Sequence, residues 1–112
     1  MTKTTFMSAA LFIAAIIVTA PAHAETRCGI IDNMLPGGGL MLYDRDATWD
    51  LDAGEDRSEL PDLNRGEQCG CVTGTTNPAT HTFTSVAGGK LKPMKACDAD
   101  KKLMQAINAR NR

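Results

Sequence analysis

The residues best suited to chemistry in this 112-residue chain are its four cysteines, Cys28, Cys69, Cys71 and Cys97. Their thiols could form disulfides, bind a soft metal or exchange with other thiols, and the compartment of the protein decides among these. An even number of cysteines in a short exported chain predicts two disulfides. There are three weaker alternatives: a four-thiolate zinc site, a copper site using nearby methionines, and a redox-active Cys-Gly-Cys segment. The Cys-x-Cys spacing is unusual for zinc, and the sequence does not indicate which cysteine would act as the resolving thiol in a redox site.

The spacing of the cysteines limits how they can pair. Cys69 and Cys71 stand two apart in a segment with strand character, so their side chains point to the same face and are poorly placed to bond to each other. Two connectivities therefore remain open: Cys28–Cys69 with Cys71–Cys97, or Cys28–Cys71 with Cys69–Cys97. Both attach the first strand and the C-terminal helix to the central strand.

The first 24 residues predict export, and they favour the disulfide interpretation. Lys3 provides a positive start, Ala9–Ala20 is a short apolar run, and Ala22-His23-Ala24 is a small-residue cleavage motif. The apolar run is too short to cross a bilayer comfortably. We therefore expect a bacterial signal peptide over residues 1–24, cleavage after Ala24, and a single periplasmic or secreted domain over residues 25–112.

A cluster of acidic residues is the second feature with chemical potential. Between Asp44 and Glu67 there are nine acidic and three basic residues, a net charge of −6. We expect this stretch to form a partner-binding surface, and its candidate residues are Asp44, Arg45, Asp46, Trp49, Asp50 and Asp52. Calcium binding is an alternative, although Trp49 stands where a calcium loop of the EF-hand type requires glycine. We expect neither a metal nor another cofactor.

Catalysis is not indicated by the remaining polar residues. His81 is the single histidine after the predicted cleavage site, and no acidic residue lies near it in sequence to complete a triad with Ser85. Pro36–Gly39 contains glycines but lacks the helix start and lysine of a phosphate-binding loop. We therefore expect no catalytic residue and no enzymatic activity.

The composition is typical of a small domain that is stabilised by disulfides. The full chain has a net charge of −1, which argues against general nucleic-acid binding. Lys90–Arg112 carries a net charge of +5, opposite in sign to the acidic stretch. Three aromatic residues follow the predicted cleavage site, namely Tyr43, Trp49 and Phe83, so the core is thin and disulfides are expected to supplement it.

Apolar periodicity and turn residues predict the elements that position these groups. We expect strands over Cys28–Asp32, Leu40–Tyr43, Ala47–Leu51, Glu67–Thr73 and Thr80–Val86, with the second and third forming a hairpin. Gly74–Pro78 is expected to be a turn, Gly88-Gly89 to end the last strand, and Asp98 to cap a helix over Ala99–Arg110. Within that helix, Leu103, Ala106, Ile107 and Arg110 form a narrow apolar stripe. The predicted fold class is α+β: a small antiparallel sheet of four or five strands with one C-terminal helix, stapled by two disulfides.

An ordered set of motifs resembles the DUF4087 family of small exported bacterial proteins, a domain of unknown function. The resemblance covers most of the chain after the predicted cleavage site, with Ile30 and Ala47 departing from the family's residues. The motifs are Arg27-Cys28-Gly29, Asn33–Gly37, Asp44-Arg45-Asp46 followed by Trp49, Cys69-Gly70-Cys71 and Pro93–Cys97. The resemblance implies export and the cysteine framework, and it brings no established activity.

Together these features predict a non-enzymatic module that binds an envelope or secreted protein. An inhibitor or immunity-type protein acting on a cell-envelope enzyme is one form of this hypothesis. No nucleic-acid partner is expected, and contact with the membrane is expected only through the signal peptide.

Overall fold

A computed structural model describes residues 23–35, 37–51, 60 and 63–110 of the chain. Within these ranges the chain forms five strands, β1 (His23–Asn33), β2 (Leu40–Tyr43), β3 (Thr48–Asp50), β4 (Gly66–Asn77) and β5 (Thr82–Lys92), and two helices, α1 (Met94–Asp98) and α2 (Lys101–Arg110). The first 22 residues of the expected signal peptide lie outside the described residues, as does Asp52 of the expected partner surface.

The five strands close into a barrel in the order β1-β2-β3-β5-β4. All neighbouring strands are antiparallel except β3 and β5, which run parallel and meet at Asp50 and Thr82. A closed five-stranded barrel with a non-sequential strand order belongs to the same architectural class as the OB-fold. The expected fold class is confirmed in its strand number, C-terminal helical region and two disulfides. Two features were not predicted: the closure of the sheet into a barrel and the parallel pairing of β3 with β5.

The longest ladder pairs β1 with β4 over eleven residues, from His23 opposite Thr76 to Asn33 opposite Gly66. β4 therefore continues through Gly74, where the sequence indicated a turn, and that expectation is wrong. A Cβ at Gly74 would lie only 2.1 Å from the carbonyl oxygen of Ser85. The glycine lets the backbone of β5 approach β4 closely at the register shift beside it, and it does not end the strand.

β5 also differs from its predicted form. It continues through Gly88 and Gly89 to Lys92, because its backbone remains paired with β4 there. A register shift between Thr75 and Thr76 places an extra residue in β5. As a result Phe83 and Val86 both face inward and Ser85 is exposed, whereas strict alternation placed Phe83 and Ser85 on one face.

The C-terminal helix begins later than predicted. The carboxylate of Asp100 accepts a hydrogen bond from the backbone N–H of Leu103 at 3.0 Å, so Asp100 is the N-cap of α2. Asp98, the predicted cap, instead ends the short helix α1. Leu103 and Ile107 of the predicted stripe are buried as expected.

Two apolar clusters stabilise this arrangement. The barrel interior contains nine buried residues: Ile31, Leu40, Leu42, Ala47, Trp49, Leu51, Val72, Phe83 and Val86. A second cluster lies between the outer face of the barrel and the helices, and it contains Ile30, Cys69, Cys97, Leu103 and Ile107.

The disulfides join Cys28 to Cys71 and Cys69 to Cys97, which is one of the two connectivities left open by the sequence. Cys28 lies directly opposite Cys71 in the β1–β4 ladder, and their Cα atoms are 4.0 Å apart. Cys69 reaches Cys97 of α1 across 5.8 Å. The first disulfide thus links two strands that already pair, and the second attaches the helical region to the barrel.

Candidate functional site

Charged side chains gather at one end of the barrel around Arg27. Alternation along β1 puts Arg27 on the inner face of the sheet, opposite the buried Val72. Its guanidinium contacts carboxylate oxygens of Glu25 at 2.9 Å, Asp44 at 3.1 Å and Asp46 at 2.7 Å. It also lies 4.5 Å from the ring centroid of Trp49, a cation–π contact. We call Glu25, Arg27, Asp44, Asp46 and Trp49 the Arg27 cluster.

The cluster holds the charge of Arg27 firmly. Burial opposes the charged form, but hydrogen bonds to Asp46 and Asp44, aided by the charges of Asp44 and Glu25, outweigh it and raise the pKa of Arg27 above its ordinary value. The carboxylates therefore favour the charged form of Arg27. Glu25 is fixed further by accepting a hydrogen bond from the hydroxyl of the buried Thr76.

Asp44 organises the turn between β2 and β3. One carboxylate oxygen accepts the backbone N–H groups of Asp46 at 2.8 Å and Ala47 at 2.7 Å. The other accepts the indole N–H of Trp49 at 3.0 Å and a guanidinium N–H of Arg27 at 3.1 Å. Both oxygens are thus occupied by donors, so this carboxylate does not serve as a calcium ligand in the arrangement seen here.

The predicted partner surface is therefore divided. Asp44 is 4% exposed and Trp49 is 2% exposed, so neither contributes to a docking face, and the expectation that they do is wrong. The reason is chemical: an aspartate at a turn bonds to its own backbone, and a buried indole N–H requires an acceptor. Arg45 and Asp46 are exposed, and Asp50 is half-buried.

Arg45 connects this turn to the helices. Its guanidinium donates to the carboxylate of Asp100 at 2.8 Å. Hydrogen bonds from Arg45 and from the backbone N–H of Leu103 lower the pKa of Asp100 below its usual value. Arg110, near the end of α2, donates to the carbonyl oxygen of Asp44. Two arginines therefore tie the hairpin to α2 from opposite ends of that helix.

An open groove runs between the hairpin and the helical region. It has a volume of about 420 Å³ and is lined by charged side chains of both signs together with one cysteine. The lining residues are Thr26, Arg27, Cys28, Asp44, Arg45, Asp46, Lys92 and Asp100. We call it the charged groove.

A second open cavity of about 400 Å³ lies near the start of β4. Arg65, Asp32 and Met34 contribute to its lining, and Met34 is 40% exposed. It is separate from the Arg27 cluster and has no other charged lining residue.

His81 lies outside the charged groove. It occupies the turn before β5 with a φ of 54°, and its ring meets the Trp49 ring edge-on with 5.2 Å between centroids. The imidazole therefore packs against the edge of the Trp49 indole. Ser85 is exposed and lies on the outer side of β5.

Sequence reasoning identified the hairpin acids but missed Glu25, Arg27 and Thr76 as members of the site. The signal was present in β1. Glu25, Arg27 and Ile31 are separated by two and four residues, so they share one face of the strand, and Ile31 is a core residue. A charged pair on the inward face of a strand indicates a partly buried ionic cluster.

The part of the chain that the structure describes contains no group of three or more His, Cys, Asp or Glu side chains placed to hold a metal ion. In the same ranges, neither helix has the length and apolarity needed to cross a membrane. No protein-family model, curated protein or solved structure matches the chain.

Proposed function

We propose that the chain is an exported protein that binds an acidic surface of another envelope or secreted protein and catalyses no reaction. The cleavable leader expected over residues 1–24 and the two disulfides, which are typical of oxidising compartments, support export. The observation that carries the binding role is the lysine cluster, defined as Lys90, Lys92, Lys95, Lys101 and Lys102.

All five lysines of this cluster are exposed. Among the described residues, every ion pair is made by an arginine, so none of these ammonium groups is neutralised there. Lys90 and Lys92 leave the outer face of β5 beside Cys71 and Cys69 of β4. The Cys69–Cys97 bond holds α1, which carries Lys95, against β4, the strand paired with β5. Unpaired, solvated lysines concentrated in a short stretch attract an acidic partner over several ångströms.

The acidic hairpin offers less to a partner than its sequence promised. Asp44 is internal, Asp46 is paired with Arg27, and Asp100 beside the lysines is paired with Arg45. The free surface charge of the described residues near the groove is therefore mainly positive. An inhibitor or immunity-type protein would use such a face against an envelope enzyme whose rim is acidic.

Rigidity supports the same proposal. A closed barrel with two disulfides has little conformational freedom to lose on docking, so less of the interaction free energy is spent on ordering. The lysine side chains are the mobile part, and they supply association rate and specificity more than affinity.

The test is a matched pair of charge reversals. Purified protein is immobilised and exposed to a bacterial envelope extract at low and at moderate salt, and retained proteins are identified by mass spectrometry. Lys92→Glu is compared with Arg65→Glu, which makes the same change of charge at an exposed cation in the second cavity. We expect Lys92→Glu and added salt each to weaken retention of a specific acidic protein by about tenfold, and Arg65→Glu to leave it unchanged.

Equal retention by the two variants would contradict the assignment of the lysine cluster. Retention of nucleic acid or anionic vesicles in place of a protein would contradict the proposed class of partner.

A further inference from the structure

The two disulfides differ sharply in their access to solvent. Cys69 and Cys97 are each 3% exposed and belong to the apolar cluster beneath the helices. Cys28 is exposed and Cys71 is half-exposed on the outer face of the barrel. Thiol exchange requires an attacking thiolate to approach a sulfur directly, so the two bonds differ in reactivity.

The charged groove leads to the exposed bond. Cys28 lines it together with Arg27, Arg45 and Lys92. A groove of about 420 Å³ admits a small thiol or the tip of a peptide loop carrying one. Three carboxylates, of Asp44, Asp46 and Asp100, also line the groove, and they pair with Arg27 and Arg45. Lys92 makes no ion pair with another described residue, so its ammonium is the charge that attracts an anionic thiolate toward Cys28.

A further cation stands where a leaving thiolate would form. Lys90 of β5 lies directly opposite Cys71 of β4, so both side chains leave the sheet on the same face. Directly opposed side chains are close neighbours, with Cβ atoms about 5 Å apart. The flexible side chain of Lys90 lets its ammonium approach a thiolate on Cys71, which stabilises that thiolate and makes it a better leaving group.

We propose that Cys28–Cys71 is a thiol–disulfide exchange site that is reduced stoichiometrically by a dithiol, either a small molecule or a protein. A thiolate of the dithiol attacks Sγ of Cys28, the Cys28–Cys71 bond breaks, and its electron pair leaves on Sγ of Cys71 beside Lys90. In the mixed disulfide, one sulfur of the dithiol is bonded to Sγ of Cys28. The second thiolate of the dithiol then attacks that first sulfur and releases Cys28 as a thiolate. Two electrons and two protons pass to the protein, which gains two thiols, while the dithiol becomes a disulfide.

The fold is built to survive this step. β1 and β4 stay joined by their eleven-residue ladder when the Cys28–Cys71 bond opens. The Cys69–Cys97 bond, which holds the helices, is not involved. The exchange therefore alters the surface chemistry of the groove without detaching an element, and it does not depend on the proposed protein partner.

The experiment is a time course of reduction by dithiothreitol at neutral pH, quenched by alkylation and read by intact mass and peptide mapping. We expect a species with two alkyl groups, on Cys28 and Cys71, to form at least about tenfold faster than the species with four. Opening of Cys69–Cys97 first, or of both bonds at the same rate, would overturn the proposal.

A matched pair of variants tests the leaving group. Lys90→Gln removes the ammonium opposite Cys71, and Arg65→Gln removes an exposed positive charge in the second cavity, outside the lysine cluster. We expect Lys90→Gln to slow opening of Cys28–Cys71 about threefold and Arg65→Gln to leave the rate unchanged. Equal rates in the two variants would contradict the role given to Cys71 as the leaving thiolate.

Discussion

The barrel interior and the layer beneath the helices are both apolar, yet they are enclosed in different ways. Leu42 and Phe83 of the interior are fully buried, and hydrogen-bonded strands surround them. Leu103 and Ile107 of the outer layer are 3% and 7% exposed, and half-buried methionines form its rim. The interior is closed by the backbone, whereas the outer layer depends on one disulfide and two arginine contacts. Equal burial therefore need not mean equal resistance to change.

The sharpest test of this contrast removes the same side chain from each region. Leu42→Ala leaves a cavity that a closed barrel cannot collapse, and we expect it to lower the free energy of unfolding by about 4 kcal/mol. Leu103→Ala should cost about 2.5 kcal/mol, because the helix can shift into the space. Urea unfolding followed by tryptophan fluorescence measures both, and equal losses would show that the outer layer is as rigid as the barrel.

The disulfides offer a second way to separate the regions. Cys69→Ser with Cys97→Ser should lower the free energy of unfolding by about 3 kcal/mol and release the helices from the barrel. Cys28→Ser with Cys71→Ser should cost at least as much, because this disulfide closes a segment of 43 residues against 28 for the other. This pair of substitutions should leave α2 in place. Circular dichroism distinguishes them, and a comparable loss of helix in both variants would contradict the separate roles.

Asp44 belongs to both regions and tests their connection. Its carboxylate binds Arg27 and Trp49, while its carbonyl accepts Arg110 of α2. Asp44→Ala leaves the buried indole N–H of Trp49 without its acceptor and removes one of the three carboxylates that contact Arg27, and we expect a loss of about 3 kcal/mol in thermal or urea unfolding. Asp46→Ala, which removes an exposed partner of the same arginine, should cost less than about 1 kcal/mol. Similar losses in the two variants would argue that Asp44 is not the centre of the cluster.

The smallest expected effect is confined to the outer layer. The pKa of Asp100 is lowered in the folded protein by Arg45, so its ion pair favours folding above the pKa of the unfolded chain and is lost as the pH falls through the folded value. Asp100→Asn should lower the melting temperature slightly near neutral pH and leave it unchanged in strong acid. Scanning calorimetry across this range measures the difference. A constant deficit at all pH values would mean that the N-cap contact with Leu103, rather than the charge, is responsible.

Much of the fold was predictable because its elements obey local rules. β2 begins and ends at the predicted residues, Leu40 and Tyr43, since a compact apolar run lies between a glycine-rich turn and an aspartate turn. The hairpin with β3 follows from the same turn. The cysteine count predicted two disulfides, but the choice of partner depends on the β1–β4 register, which only the whole barrel fixes.

The errors come from residues whose neighbours in space override their local preference. Gly74 has the local character of a turn residue, but it lies where the backbone of β5 approaches β4 closely. Ser85 was expected on the same face of β5 as Phe83, but a bulge between them places it on the opposite face. Asp44 and Trp49 look like surface residues in an acidic stretch, but they are buried where Asp44 contacts Arg27, which is 17 residues away in sequence. The acidic stretch itself gives no sign of this long-range pairing, since its partner lies in β1.

The pairing of β1 with β4 also sets the order of events during synthesis. A chain emerges N-terminus first, so β1 appears well before its main partner, and Cys28 precedes Cys71 by 43 residues. Until β4 emerges, β1 has only the four-residue β2 to cover one of its edges. A long exposed strand edge favours association between nascent chains. Folding of this domain is therefore a late event in which the barrel assembles only once β4 and β5 are both available, and a chaperone that shields β1 would have most effect before that moment.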